Sequence, residues 1–259
     1  MSIVITPEKK QPKLKSPVLI EGLPGIGGVG KLAADFLVEE LGAVAVATIT
    51  SKRFPPVVFV NDKSLIDLPE IKLMYANAAG KDFLFLTGDI QPADEESTYD
   101  FCEELLNLLA REKAGLIITL GGIGLIDEPK KPRLFCTGNT KAAVQRITAE
   151  TVCKDVHGVV GPILGVTGLL MGLAKHHCLD AVCLLAETYA HPAYLGTPGA
   201  KELIKALNAQ FSLGINEKAI EEKLKGVEEE TAKKAEEVQE AISSAKMQKV
   251  MSRETSYIG

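Results

Sequence analysis

The sequence predicts an α/β fold in which a mostly parallel sheet is covered on both faces by helices. Three observations predict it. Apolar runs of strand length alternate with segments of helical periodicity from residue 18 to residue 211. Glycine clusters stand where several of those runs end, at the points where a strand turns into a helix. A chain of 259 residues that is 46% hydrophobic and 24% charged can also bury a core of the size such a sheet needs.

The elements follow in order. After a polar, proline-bearing leader, Val18 to Glu21 read as a short strand ending in the cluster EGLPGIGGVG, and residues 31–41 repeat apolar side chains at helical spacing. Ala43 to Thr50 (AVAVATIT) carries no charge and suits an interior strand buried on both faces. Val57 to Val60, after Pro55 and Pro56, and Phe83 to Thr87 (FLFLT) read as further strands. Residues 94–113 open acidic and close basic, as a helix that matches its own dipole does. A strand from Gly115 to Leu120 is expected to stop at Gly121, Gly122 and Gly124. Lys141 to Cys153 reads as helix, Gly165 to His177 as a largely buried apolar helix, Ala181 to Ala186 as a core strand and residues 200–211 as a helix.

Beyond Gly214 the composition turns to Glu, Lys, Ala and Gln. This divides the chain into an α/β domain over 1–215 that includes the polar leader, a charged amphipathic helix over 216–251 and a flexible tail over 252–259. The helix carries a narrow stripe of Ile220, Leu224, Val227, Val238, Ile242 and Met247, interrupted at Gly226.

Charge and composition exclude several classes. Twenty-nine basic against thirty-four acidic residues give a net charge of −5, aromatics are 5% and there is no Trp, so no basic, ring-bearing face for nucleic acid is expected. No apolar run has the length of a membrane span or of a signal-peptide core, which places the protein in the cytoplasm with no membrane partner. The five cysteines contain no CxxC and read as buried thiols, without metal or redox function.

The sharpest motif is Gly25-Ile-Gly27-Gly28-Val-Gly30, a GxGxxG between strand and helix whose amides would suit an anion or a pyrophosphate. The acidic residue that a dinucleotide site needs some 20 positions on is replaced by Thr50, Ser51, Lys52 and Arg53. With Lys31 the same residues nearly spell a P-loop, but Leu32 stands where a magnesium-binding hydroxyl belongs. Close packing of helix on strand explains the same glycines equally well. A rim pocket at the strand ends would draw on Asp89, Glu187, His191 and Tyr194. There is no HExxH, no GxSxG and no fixed carboxylate pair, so no catalytic residue, metal or cofactor is assigned. The adjacent His176 and His177 read as a helix C-terminal pair.

The run EGLPGIGGVGKLAADFLVEELGA, then ITSKRFPP, FLTGDIQP, LGG, GPILGVTGLLMGLA and CLLAETYAHPAYLGTPGA, in this order, resembles the proteasome assembly chaperone 2 family in its archaeal form, over residues 15–212. The resemblance implies a three-layer α/β/α sandwich similar to phosphorylase and hydrolase folds. It also implies a non-catalytic, ATP-independent, homo-oligomeric chaperone or binding protein whose partners are proteasome α subunits or the core particle. The alternative from the residues alone is a nucleotide- or nucleoside-processing enzyme that uses the glycine rim. Some members end in a hydrophobic-Tyr-any tripeptide. This chain ends Ser256, Tyr257, Ile258, Gly259, one position out of that pattern, with Tyr257 and Ile258 as a possible tail anchor.

Overall fold

The computed structural model describes residues 3–61 and 63–233. The chain divides after Ile215 into two compact units. The first contains strands β1 (Ile3–Pro7), β2 (Val18–Glu21), β3 (Val44–Ser51), β4 (Phe59–Val60), β5 (Ile66–Asp67), β6 (Ile71–Ala78), β7 (Lys81–Gly88), β8 (Leu116–Leu125), β9 (Leu134–Gly138), β10 (Val152–Cys153) and β11 (Ala181–Tyr189). Its helices are α1 (Val29–Glu40), α2 (Glu95–Arg111), α3 (Lys141–Gln145), α4 (Gly165–Ala174) and α5 (Thr197–Phe211).

Nine strands form one sheet in the order β1-β3-β6-β7-β2-β8-β11-β9-β10. At its centre β7, β2, β8 and β11 are parallel neighbours, the expected parallel core. On one flank β6, β3 and β1 alternate in direction, and on the other β9 runs against β11. The faces follow from strand alternation. Leu84 of β7 packs with Leu19, Ile117 and buried residues of α2 and α4, while its neighbour Phe83 meets Phe211 of α5 edge-on at 5.1 Å. Helices α1 and α5 therefore cover one face and α2 and α4 the other, giving three layers.

Local chemistry explains the helices. Asp94 caps α2 by accepting from the Ser97 amide at 2.8 Å. The helix then buries Phe101, Cys102, Leu105, Leu106 and Leu109 as one stripe. Gly30 lies where α1 crosses β8, and a Cβ there would overlap the Leu120 carbonyl oxygen, so glycine sets how closely helix and sheet approach.

Several elements differ from expectation. The leader is ordered at its start: β1 pairs antiparallel with β3 and buries Ile3. That makes β3 second from the edge, with Val44 and Thr50 exposed, rather than a strand buried on both faces. Strand β6, unexpected from its mixed sequence IKLMYANA, joins β7 through the turn at Ala79 and Gly80. Strand β8 does not stop at Gly121 but runs through its glycines in register with β11. Helix α3 ends at Gln145, because the Gln210 side chain of α5 takes the Thr148 amide (2.7 Å) and donates to the Arg146 carbonyl (2.9 Å). Helix α4 buries only Val166, Leu170 and Ala174, not the greater part of its surface.

In the second unit residues 217–233 are helical and continuous through Gly226. Asn216 accepts from the Lys218 amide at its start (2.9 Å), and Ile220 and Leu224 are buried. Val238, Ile242, Met247 and the tail lie outside the described residues.

Candidate functional site

The middle of the glycine loop packs on its own neighbours. Gly27 and Gly28 take left-handed backbone conformations (φ 62° and 63°), and a Cβ on Gly27 would sit 2.6 Å from Thr188 Oγ1. The Gly27 carbonyl accepts from the Gly196 amide at 2.7 Å, and the Gly28 amide donates to the Gly25 carbonyl at 3.0 Å. Lys31 forms an ion pair with Asp35 at 2.7 Å, and Asp35 also accepts from the Thr87 hydroxyl. These contacts fasten the loop and α1 to β7, β11 and the turn before α5.

Asp89, Glu187, His191 and Tyr194 do not converge. Asp89 follows β7, where its carboxylate accepts from the Glu70 amide at 3.0 Å and pins the start of β6. The other three lie on β11 or just beyond it, and β2 and β8 separate β7 from β11, a span of about 14 Å at ordinary strand spacing. The buried Glu187 carboxylate accepts from the Arg133 side chain at 2.9 Å and the Arg133 amide at 3.0 Å, and the guanidinium holds it below the usual carboxylate range. His191 stacks on Tyr189 at 5.5 Å, and Tyr194 packs edge-on against Tyr189 and donates to Glu128 at 3.0 Å.

A cavity of about 290 Å³ does lie at the carboxyl ends of β2, β8 and β11. Its walls are Leu23, Gly25, Ile26 and Gly30 before and within α1, Gln91 after β7, Leu120 to Gly124 of β8, Val160 to Gly165 with Thr167 at the start of α4, and Leu185. Of the predicted residues it takes in Gly25 and Gly30, and none of the four rim side chains. Ile26 and Leu164 stand at its edge, 53% and 81% exposed.

Directly behind this cavity is a polar row that the sequence reading passed over. Glu21, Thr119 and Cys183 are in-register partners on three adjacent parallel strands, and all three are fully buried. Glu21 Oε1 accepts from the Leu23 amide at 2.9 Å, while Oε2 and Thr119 Oγ1 have no partner of standard hydrogen-bond geometry. Burial pushes the Glu21 carboxyl up to about 7, against the opposing pull of the Leu23 amide, the Thr167 hydroxyl and the Leu120 backbone. Burial likewise pushes the Cys183 thiol up to about 12, which leaves it a protonated and poor nucleophile. The available signal was a lone acid closing the apolar run VLIE.

The cysteines divide. Cys102, Cys136 and Cys183 are buried, but Cys153 and Cys178 are exposed, contrary to the reading of all five as buried. His177 meets Glu103 at 2.8 Å rather than the end of its helix. Among the described residues no His, Cys, Asp and Glu side chains group to hold a metal ion, and no helix is long and apolar enough to cross a membrane.

Comparison with known proteins places this architecture. The crystal structure of PbaB from Pyrococcus furiosus, described as an archaeal proteasome activator, superposes with a TM-score of 0.78 at 26% identity, over 90% of this chain and 98% of that one. PbaA from the same organism, described as an archaeal homolog of proteasome-assembly chaperone, has the same fold, with a TM-score of 0.73 at 22% identity and full coverage of both chains. The uncharacterized protein MJ1210 of Methanocaldococcus jannaschii is 29% identical over 249 residues, 95% of this chain and 93% of the relative. The model of the PAC2 family matches residues 19–235, which span the central sheet, all five helices and the start of the second unit, and the chain belongs to that family.

Proposed function

We propose that the protein is an ATP-independent assembly chaperone or binding protein for the proteasome core particle or a similar multisubunit complex, acting in the cytoplasm as a homo-oligomer. The observation that carries this reading is the end-to-end similarity to PbaB, the archaeal proteasome activator. A physical feature supports it. Strands β4 and β5 form a separate hairpin outside the main sheet, and it presents Val60, Ile66 and Leu68 at 72%, 68% and 74% exposure beside the half-exposed Val58 and Phe59. Apolar side chains grouped in this way are a common mark of a protein-contact surface. The hairpin is held by its own polar bonds. Asn61 accepts from the Lys63 and Leu65 amides and donates to Asp67, so the apolar side chains are displayed on a set backbone.

Two of the groups that would serve a nucleotide are engaged within the protein, Lys31 with Asp35 and the Gly28 amide with the Gly25 carbonyl, which weighs against the enzymatic alternative. The test is capture of purified core particle by immobilised full-length protein, with and without ATP. The reading expects capture that ATP leaves unchanged. Failure to capture, or capture that requires ATP, contradicts it.

A further inference from the structure

We propose that the open groove between α2 and α4 is the surface on which a second copy of this chain packs, the α4 helices of the two copies lying antiparallel. The proposal rests on the homo-oligomeric part of the reading above and names the face that carries it.

The sequence of α4, GVTGLLMGLA, has Thr167 as its one polar side chain, and a helix that is apolar all round belongs in an interior. Yet α4 buries only Val166, Leu170 and Ala174, on the side that meets α2 and the sheet. Another side borders a groove of about 810 Å³, lined along the helix by Gly165, Gly168, Leu169, Gly172, Leu173 and His176. Exposed Leu164 at its head and exposed Tyr99 of α2 widen the apolar surface. Gly172 stands open, since a Cβ there would meet nothing within 4 Å, so a second helix can come close to the α4 backbone at that point.

Charge chooses the occupant. Helices α2 and α4 run side by side in one direction, tied at one end by the Gln91 side chain, which accepts from the Val166 amide at 3.3 Å, and at the other by His177 and Glu103 at 2.8 Å. Asp94 and Glu95 line the first end of the groove, where Arg53 is paired with Glu96. His176 and the exposed Lys175 stand at the other end, about 15 Å along the helix. The groove is therefore acidic at one end and basic at the other. Glu95 and Lys175 form no ion pair among the described residues. A two-fold axis across the middle of α4 would set Glu95 of each copy against Lys175 of the other and lay the two Gly172 positions face to face, the self-complementarity an isologous contact needs. An unrelated partner has no reason to match that reversal of charge.

The test is sedimentation equilibrium of the full-length protein. Glu95→Lys and Lys175→Glu each place like charges opposite one another twice in a two-fold contact, so each should weaken self-association about tenfold or more. The protein carrying both substitutions should regain it. Gly172→Leu has room within a single copy and should weaken self-association while leaving the far-ultraviolet circular dichroism unchanged. An unaltered protein that associates, with every folded variant associating as tightly, overturns the proposal and leaves the oligomeric reading standing. A doubly substituted protein no tighter than the single variants overturns the antiparallel pairing. An unaltered protein that is monomeric at every concentration overturns the proposal and the oligomeric reading together, and capture of core particle by that monomer would leave the binding part of the reading intact.

Discussion

At the end of β2, Glu21 makes a titration visible in the stability of the fold. Its carboxyl titrates near 7 in the folded protein, against an ordinary value of 4.5, because burial penalises the charge. Between those values the folded state keeps a proton that the unfolded chain has released. The contribution is fully present below pH 4.5 and is lost as pH rises through 7, about 3 kcal/mol in all. Glu21→Gln, which mimics the protonated form, should flatten denaturant-derived stability between pH 5 and pH 9 and make the variant more stable than the unaltered protein at the alkaline end. Parallel curves would contradict this. Gly30→Ala acts through space instead: its methyl would overlap the Leu120 carbonyl, so urea denaturation should show a loss of about 1–3 kcal/mol. At this scale the glycine loop was legible in the sequence, because spacing and context reveal a tight strand-to-helix turn. Glu21 was not, since a single acid at a strand end becomes exceptional only when neighbouring strands bury it.

Among the elements, those with strong periodicity were legible and those made by tertiary pairing were not. Helix α2 carried its cap, its stripe and its charge order in the sequence, and the structure places Asp94 at the N-cap. Ser97 hydrogen bonds hold the Asp94 carboxyl below the usual range, so its contribution is present above the ordinary carboxylate pKa and fades as pH falls. Asp94→Ala should therefore lower the melting temperature at pH 7 and change it less near pH 2. Strand β6 was missed because its sequence is mixed, and β1 and β9 because each is a five-residue run beside polar, proline-bearing segments; partners elsewhere in the chain supply their stability. The expected helix to Cys153 stopped short because a side chain of α5 took the backbone groups that would have continued it. The β4–β5 hairpin lies outside the main sheet, so Ile66→Lys should leave the melting temperature nearly unchanged while weakening partner or self-association in sedimentation.

For the whole molecule, the parallel core and its helical cover were legible from the alternation of elements, while the antiparallel flanks were not, because strand direction is set by connections that composition does not record. The proposed partner contact adds the carboxyl-terminal residues to the hairpin. A single anchoring side chain gives weak affinity alone and strong affinity when several copies are presented together. Tyr257→Ala should therefore weaken capture of core particles by the oligomer and leave its melting temperature unchanged. Unchanged capture would place the interface on the α/β domain. The most direct measurement is sedimentation velocity of the full-length protein mixed with purified archaeal core particle in the absence of ATP. The account predicts that the protein moves into the core-particle boundary as an oligomer, and separate boundaries at every concentration tested would contradict it.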